Sequence, residues 1–197
     1  MDNPLISICI PIYDMPNGDF FLKRCIDSIM AQTYKNYEIV ITKDGKMAEN
    51  SNSAIKKAKG DLIKILYMDD YLATPNSLQE IVDNFKGDWL VTGCLHDDDG
   101  VVGRPHYAEM NPNITTENSI GSPSVLTIRK GLDMYFDENL GWLLDCDLYK
   151  RLFDKYGEPD ILDELNVVIG CGYHQATNLM GQKVKNDEHN YMLNKYE

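Results

Sequence analysis

Asp69 and Asp70 are the residues whose types and spacing point most directly to chemistry. They stand side by side in KILYMDDYLATP, residues 64–75, directly after an apolar run and ahead of a proline. Carboxylates supply the oxygen ligands that Mg²⁺ and Mn²⁺ prefer, and a bound divalent cation can bridge phosphate groups. The alternative is a solvated turn in which both acids face water. The spacing alone does not choose between these two interpretations.

The charge balance restricts the classes of ligand. The sequence has 31 acidic and 19 basic residues and a net charge of −12. Binding to nucleic acid depends on Lys and Arg displacing counterions from phosphates, so we expect no nucleic-acid partner. The same acidity repels anionic ligands. A phosphate-bearing ligand would therefore need a local basic patch or a divalent metal in its site.

The cysteines give no disulfide framework and no complete zinc motif. Their number is odd and no CxxC pair occurs, so we expect reduced, buried thiols. Cys171 and His174 could begin a zinc site, but no second pair is evident to complete it. The N-terminal stretch has no basic leader, and no run of about 18 apolar residues occurs. We therefore expect a cytoplasmic protein without an integral membrane segment.

The elements that must position the two acids alternate along the first part of the chain. Apolar, β-branched runs at 5–13, 37–45 and 61–70 predict three buried strands. Apolar residues at helical spacing over 20–33 and a Gly-terminated segment at 52–60 predict the helices between them. This order is typical of an α/β fold with a mostly parallel, doubly wound, Rossmann-like open sheet and flanking helices. Ligands of such sheets bind beyond the carboxyl ends of the strands, where the two acids lie.

The rest of the chain continues this pattern without a second domain boundary. We predict helices at 76–85 and 143–157 and strands at 88–98, 124–130 and 165–171. The polar end of the chain from residue 183 is expected to be helical or frayed. A long irregular stretch at 97–124 is rich in Asn, Gly and Pro. A loop of this length in a compact domain is more often functional than not.

Four segments of the sequence resemble family 2 glycosyltransferases with the GT-A fold, in both order and spacing. They are ISICIPIYD, CIDSIMAQTYKNYEIVITKDG, NSAIKKAKGDLIKILYMDD and FDENLGWLLDCDLYKRL. The resemblance runs from about Leu5 to about Asn178, and the ordered set is far more specific than any single motif. It implies one GT-A domain over residues 1–197, with a nucleotide-binding half at about 1–95, an acceptor-side half at about 96–180 and a polar tail at 183–197.

The resemblance implies a site for a nucleotide diphosphate sugar at the first strand ends. Pro11, Ile12 and Tyr13 are similar to the family loop that flanks the nucleotide base. Asp44 is similar to the acid that hydrogen-bonds the base, and Asn52 matches an asparagine of the family's helix pattern. Without this context, a strand-end aromatic residue and an Asp-Gly turn would explain Tyr13 and Asp44.

The sequence departs from the family pattern on the phosphate side. Ser51 stands where an arginine is common, and a nearby lysine could compensate at a phosphate. The candidates are Lys43, Lys46 and Lys56.

The same resemblance implies a metal site holding Mn²⁺ or Mg²⁺. Tyr67, Met68 and Asp69 occupy the place of the family's Asp-x-Asp motif. Asp69 resembles the metal-binding acid and Asp70 its frequent neighbour, while the first acid is replaced by Tyr67, which cannot supply a negative charge. His174 follows a strand at the distance where GT-A enzymes often bring a histidine to the metal. The implied metal ligands are Asp69, Asp70 and His174.

Asp145 resembles the catalytic base, since it aligns with the acid that ends the family's Glu-Asp motif. The preceding Glu is Leu144 here. A carboxylate in an apolar surround has a raised pKa, which suits proton abstraction from a sugar hydroxyl. Asp147 is the competing candidate and ranks second, because a residue two positions along a helix points elsewhere.

Three further residues are assigned to the acceptor side by the resemblance. Gly121 and Ser122 precede a strand on that side, and Trp142 could stack on an acceptor ring, although core packing explains the tryptophan equally well.

These features predict an inverting, metal-dependent glycosyltransferase that moves a sugar from a nucleotide diphosphate sugar to a glycan or another hydroxyl acceptor. The departures at Ser51, Tyr67 and Leu144 favour one alternative, a catalytically silent nucleotide-sugar-binding module. A nucleotidyltransferase is a weaker alternative, because no Gly-rich, basic phosphate loop is found. The residues that would choose the donor sugar, base and acceptor, about 96–124, carry no readable motif.

Overall fold

The computed structural model describes residues 3–197 of the chain. Its first part alternates strands and helices as predicted. The elements are β1 (Ile6–Pro11), α1 (Gly18–Met30), β2 (Tyr37–Thr42), α2 (Met47–Lys57) and β3 (Leu62–Ile65). Every residue of β1 is buried, because its neighbours and the helices cover both faces of this central strand.

The second part contains all the predicted elements and two strands that the sequence did not predict. Its elements are β4 (Tyr71–Leu72), α3 (Ser77–Asn84), β5 (Trp89–Asp98), β6 (Val101–His106), β7 (Leu126–Arg129), α4 (Leu144–Tyr156), β8 (Asp160–Cys171), α5 (Ala176–Leu179) and α6 (Gln182–Tyr196). The unpredicted strands are β4 and β6. Asp99 and Gly100 join β5 to β6 with φ of 51° and 95°. An Asp-Gly pair with positive φ is typical of a two-residue hairpin turn, so the stretch predicted to be irregular begins as a hairpin.

The strands form one open sheet in the order β2-β1-β3-β7-β5-β8-β4, and β6 pairs with β5. The predicted α/β architecture is confirmed, but the sheet is mixed rather than mostly parallel. β1 runs parallel to β2 and β3, and β5 runs parallel to β8. β7 lies antiparallel between β3 and β5. Its direction is reversed because the chain enters β7 through a short 3-10 helix, Pro123–Val125, beside the carboxyl end of β3.

The core lies between the sheet and its helices and supports the edge where the predicted site residues lie. Trp89 on β5 and Tyr149 on α4 are fully buried and stack with ring centroids 6.3 Å apart. The indole nitrogen of Trp89 donates to the carbonyl of Gly157 at 2.9 Å, so its buried N–H is satisfied. This packing fixes α4 against the sheet. Within residues 3–197, none of the helices has the length and apolar character that crossing a bilayer requires.

Candidate active site

A cavity of about 260 Å³ opens at the carboxyl edge of the sheet, between the loop after β3 and the start of α4. It brings together predicted residues from both halves of the chain. Those that line it are Tyr13, Tyr67, Asp69, Asp70, Ser122, Trp142 and Asp145. Carboxylates from the loop after β3 and from the start of α4 therefore border one space, which is large enough for part of a ligand.

Asp69 and His174 are brought into contact beside this cavity. Oδ2 of Asp69 lies 3.3 Å from Nε2 of His174, and the carboxylate raises the pKa of the histidine. His174 is only 7% exposed, yet its buried Nε2 makes no hydrogen bond of normal geometry. The carboxylate oxygen would supply the hard ligand that Mn²⁺ and Mg²⁺ take, and the buried imidazole nitrogen, which lacks such a bond, would be a second ligand beside it. The two residues therefore fit the metal that the sequence implies.

Asp70 does not join this pair, although the sequence predicts it as a metal ligand. Its Oδ1 accepts a hydrogen bond from the Gly170 amide at 2.8 Å, and Ser122 Oγ lies 3.5 Å from Oδ2. Burial, and next the neighbouring Asp69, raise the pKa of Asp70 well above its usual range. Within residues 3–197, no three His, Cys, Asp or Glu side chains form a group that could hold a metal. Neither the three-ligand set nor a zinc site at Cys171 and His174 is therefore formed.

Gly170 on β8 is required by the close approach of the loop that carries these acids. A Cβ at this position would lie 2.4 Å from the carbonyl oxygen of Asp69. Arg24 on α1 also contacts this carbonyl, since its Nη2 donates to it at 2.8 Å. The backbone of Asp69 is thus in contact with both α1 and β8.

Asp145 is the second residue of α4 and lies half-buried in the cavity wall. Its Oδ1 accepts from the amide of Cys146 at 2.8 Å, and its Oδ2 accepts from Nδ2 of Asn118 at 2.7 Å. Burial is the main influence on its acidity and raises its pKa to about 6. A carboxylate with this pKa is ionised at neutral pH and is a stronger base than an exposed one.

Asp147, the competing candidate, is fully buried and already neutralised. Arg151 Nε donates to its Oδ2 at 2.8 Å. Its Oδ1 lies 2.6 Å from Nζ of Lys195 and accepts from the Tyr196 hydroxyl at 2.7 Å. Asp147 therefore joins α4 to α6 and has no path to the cavity.

Glu188 on α6 is a residue of this region that the sequence did not indicate. Its buried carboxylate accepts hydrogen bonds from the amides of Gly141, Trp142 and Leu143 at 3.0, 2.9 and 2.9 Å. These amides precede α4, where the helix dipole favours negative charge. A distant helix thus caps α4 directly before Asp145. No local motif could reveal this, because Glu188 lies in the polar segment predicted to be helical or frayed.

On the side predicted to bind the donor, Pro11 ends β1, and Ile12 and Tyr13 follow it along the sheet edge. The Ile12 amide donates to the Thr42 carbonyl at 2.8 Å, and the Tyr13 amide donates to the sulfur of Met68 at 3.3 Å. Tyr13 also borders a second cavity, of about 520 Å³, whose wall includes Ile12 and Met68. The predicted loop and Met68 thus form one continuous surface.

Asp44 is exposed at the same edge, and its pKa is lowered by a hydrogen bond from Ser53 and by the charge and hydrogen bond of Lys57. Asn50, which the sequence did not indicate, joins the two loops. Its Nδ2 donates to the carbonyl of Ile12 at 2.8 Å, while its Oδ1 accepts from the amide of Asp44 at 3.0 Å. Asn50 therefore sets the spacing between the two predicted base-contacting segments.

Asn52 requires a correction, since its side chain is buried and hydrogen-bonded to another segment of the protein, and it lines neither cavity. Its Oδ1 accepts from the Phe136 amide at 2.7 Å, and its Nδ2 donates to the Phe136 carbonyl at 2.9 Å and to Glu138 at 3.0 Å. With 2% exposure, it anchors the segment before α4. The sequence pattern located this asparagine on a helix but could not show the direction of its side chain.

Tyr67 lines the cavity where the family pattern has an acid. Its buried hydroxyl faces Ser51, and burial raises its pKa, so the phenol stays neutral at physiological pH. No charge replaces the missing carboxylate at this position.

Of the three predicted acceptor-side residues, Ser122 and Trp142 line the cavity, and Gly121 directly precedes Ser122. Gly121 has a φ of 117°, which side-chain-bearing residues rarely adopt, and its carbonyl accepts from the Tyr149 hydroxyl at 3.1 Å. Ser122 follows it in the cavity wall. Trp142 also lines the cavity, and its indole N–H donates to Thr177 Oγ1 at 3.2 Å. Its ring is only partly buried, so core packing does not account for all of its surface.

Comparison with known proteins gives a consistent family and fold. Residues 7–99 match the family model described as Glycosyl transferase family 2. An uncharacterized glycosyltransferase of Rickettsia prowazekii is 38% identical over 112 residues, which make up 57% of this chain and 32% of that protein. Glycosyltransferase GlyA of Streptococcus pneumoniae is 31% identical over 86 residues, or 43% of this chain and 12% of that protein. The chain covers only 13% and 32% of the lengths of the first two curated relatives.

Solved structures with the same fold include sugar-nucleotide complexes. S. aureus TarS 1–349 in complex with UDP-GlcNAc superposes with a TM-score of 0.70 at 17% identity, over 89% of this chain and 61% of that chain. The mannosyltransferase PcManGT from Pyrobaculum calidifontis, in complex with GDP-Man and Mn²⁺, superposes with a TM-score of 0.56 at 13% identity, over 97% of this chain and 62% of that chain. At such identities the superpositions establish the fold alone.

Proposed function

Because the chain belongs to the family 2 glycosyltransferases, with the GT-A fold, we propose that it transfers a sugar from a nucleotide diphosphate sugar to a hydroxyl acceptor, with inversion at the anomeric carbon. The observation that carries this proposal is the placement of Asp69, in contact with His174, and of Asp145 on two walls of one cavity. The complexes of related folds with UDP-GlcNAc and GDP-Man support a sugar nucleotide as the donor.

The donor is assigned to the nucleotide-binding half, about residues 1–95. Tyr13 offers a ring face to the base, and Asp44 offers a half-exposed carboxylate to base N–H groups. Asn50 holds the two loops at a fixed separation, so the contacts are preorganised before the donor binds.

The diphosphate is assigned to the wall formed by Asp69 and His174, whose oxygen and nitrogen would hold Mn²⁺ or Mg²⁺. When bound there, the cation would neutralise charge on the leaving diphosphate. Arg24 and Gly170 fix the backbone of Asp69, so its carboxylate has a defined orientation. In an acidic chain, such a cation also offsets the repulsion of a phosphate ligand.

Asp145 is assigned as the catalytic base of the acceptor-side half, about residues 96–180. Its carboxylate takes the proton of the acceptor hydroxyl, and the oxygen forms a bond to the anomeric carbon from the face opposite the diphosphate. The bond from that carbon to the phosphate oxygen breaks, and its electron pair leaves with the nucleoside diphosphate. Ser122 and Trp142 border the space that the acceptor would occupy. A glycan acceptor, a role in polysaccharide synthesis and a cytoplasmic location remain predictions.

The experiment that tests this function is incubation of the protein with a panel of nucleotide sugars, Mn²⁺ and glycan acceptors. Release of nucleoside diphosphate together with a glycosylated product supports transfer. Release of pyrophosphate would instead identify a nucleotidyltransferase. If a nucleotide sugar binds but none in the panel releases nucleoside diphosphate, the result would favour a silent binding module. The neutral residues Tyr67 and Leu144, which replace acids of the family pattern, would then be its sequence signature. The Asp145→Asn variant is the matched control for background hydrolysis.

A further inference from the structure

Asn118 lies in the loop that joins β6 to the 3-10 helix, and it contacts Asp145 directly. Its Nδ2 donates to Oδ2 of Asp145 at 2.7 Å and to the carbonyl of Gly121 at 3.0 Å. Its Oδ1 accepts from the amides of Ile120 and Gly121 at 3.1 and 2.8 Å. One side chain thus forms a local turn with its oxygen and reaches across the cavity wall with its nitrogen.

The hydrogen bond from Asn118 completes the support of the Asp145 carboxylate. The Cys146 amide already holds Oδ1, so the contact at Oδ2 fixes the plane of the carboxylate as well as its position. Both Asn118 and Asp145 line the cavity, so this contact lies at the surface that a ligand would meet. An amide N–H can only donate, and donation to a carboxylate favours its ionised form.

We propose that Asn118 is a positioning residue for Asp145, which orients the carboxylate toward the cavity and keeps it ionised through the hydrogen bond to Oδ2. This inference deepens the proposed function and rests on it for its catalytic meaning. It assigns a role to the loop at residues 107–122, for which the sequence offered no motif. Asn118, in this loop, orients the carboxylate of the proposed base, Asp145.

The loop has other anchors, so removing the Asn118 side chain tests the contact rather than the loop. The Tyr149 hydroxyl donates to the carbonyls of Gly121 and Ser122 at 3.1 and 3.2 Å. Ser119 Oγ donates to the carbonyl of Glu109 at 2.6 Å. The turn at Gly121 therefore stays attached to α4 when Asn118 is replaced.

Among the other titratable groups around Asp145, the thiol of Cys146 also forms a hydrogen bond that lowers the pKa of the carboxyl, and the Asn118 variants leave this bond in place. Cys146 and Tyr149 lie on the same helix, and Tyr67 faces it from the loop after β3. Burial raises the pKa of all three, so they are neutral at physiological pH. Asp69 and Asp70 line the cavity farther along the wall, Asp147 is paired with Arg151 and Lys195, and Glu188 is bound to amides before α4.

Two variants separate the turn from the contact. Asn118→Asp keeps an oxygen that accepts from Ile120 and Gly121 but replaces the donor to Asp145 with a like charge. Asn118→Ala removes both functions. The measurement is a pH titration of the Asp145 carboxyl carbon by NMR in protein labelled at the aspartate carboxyls, with the signal assigned by its loss in Asp145→Asn. This readout requires neither donor nor acceptor.

The proposal predicts that the wild-type signal titrates near the pKa of about 6. The midpoint should move upward in Asn118→Ala and farther, by roughly one unit or more, in Asn118→Asp. Wild-type midpoints in both variants would overturn the proposal. A shift in Asn118→Ala with none in Asn118→Asp would also overturn it, because the residue would then act only through the turn. The predicted shifts in a protein that transfers no sugar would support the contact and count against the proposed function alone.

Discussion

Oδ2 of Asp69 and Nε2 of His174 lie 3.3 Å apart, although one residue follows β3 and the other follows β8. The sheet brings these distant segments together because β8 ends at the same edge, where Gly170 allows it to approach the backbone of Asp69. Two candidate metal ligands from opposite halves of the chain thus lie in contact.

This pair leads to a prediction about cation-dependent donor binding. Asp69→Asn and His174→Ala should each weaken Mn²⁺ binding by roughly tenfold or more, since the loss of even an indirect contact to a metal has this effect. Each variant should therefore lose the increase in nucleoside diphosphate affinity that Mn²⁺ produces. Calorimetric titrations with and without Mn²⁺ measure the effect. Asp14→Asn is the control, because it removes an exposed carboxylate at the edge of the second cavity. Equal Mn²⁺ dependence in all three variants would contradict the assignment.

The cap that Glu188 provides for α4 predicts a large loss of stability. Glu188→Gln places an amide group among three backbone donors and should lower the free energy of unfolding by about 2 kcal/mol, the scale of a buried donor left without a partner. Asp187→Asn, the exposed neighbour on α6, should change it by about 0.5 kcal/mol or less. Urea unfolding measures both values. Matching stabilities for the two variants would mean that α6 does not hold α4.

Asn50 and Asn52 lie two positions apart, and we predict different effects on donor affinity when each is replaced by alanine. Asn50→Ala frees the loops at Ile12 and Asp44 and should weaken donor affinity roughly tenfold, the equivalent of about 1.4 kcal/mol. Asn52→Ala should lower stability while leaving donor affinity within about twofold, since Asn52 contacts the segment at Phe136. Thermal unfolding and donor titrations separate these effects. The correction for Asn52 would be wrong if its variant lost donor affinity as strongly as Asn50→Ala.

The raised pKa of Asp145 predicts the direction of the pH dependence. The carboxylate is a base only when ionised, so kcat/KM should fall as the pH drops through about 6 and should level off above it. If the base were an exposed aspartate, kcat/KM would not change with pH down to about pH 4. The residual rate of Asp145→Asn should lack this acid limb. A wild-type profile that stays level down to pH 4.5 would rule out the buried carboxylate as the base.

The alternation of strands and helices could be predicted from the sequence because the buried strands are nearly continuous apolar runs, while the first helix repeats its apolar residues at helical spacing. The direction of β7 could not, since it depends on pairing with β3 and β5, which lie far away in the sequence. The hairpin to β6 did have a local signal, the Asp-Gly pair at residues 99 and 100, but it lay within a stretch whose polar composition suggested irregular structure.

The strand-end residues of the site could be predicted because parallel strands deliver their loops to one edge. Tyr13 and Asp69, which follow the parallel strands β1 and β3, accordingly line one cavity. The supporting residues could not be found in this way. Asn50, Asn118 and Glu188 act through backbone groups or through a carboxylate in another segment, and such contacts leave no motif. Asn52 was misassigned because a helix pattern does not show whether a side chain points toward a ligand or toward another loop.

The rate of sugar transfer by the Asp145→Asn variant decides whether Asp145 is the base, because the substitution keeps the shape of the side chain and removes its basicity. We expect unchanged donor affinity by calorimetry and a rate of transfer lower by about 10²-fold or more. A variant that binds donor normally and transfers sugar at the wild-type rate would contradict it.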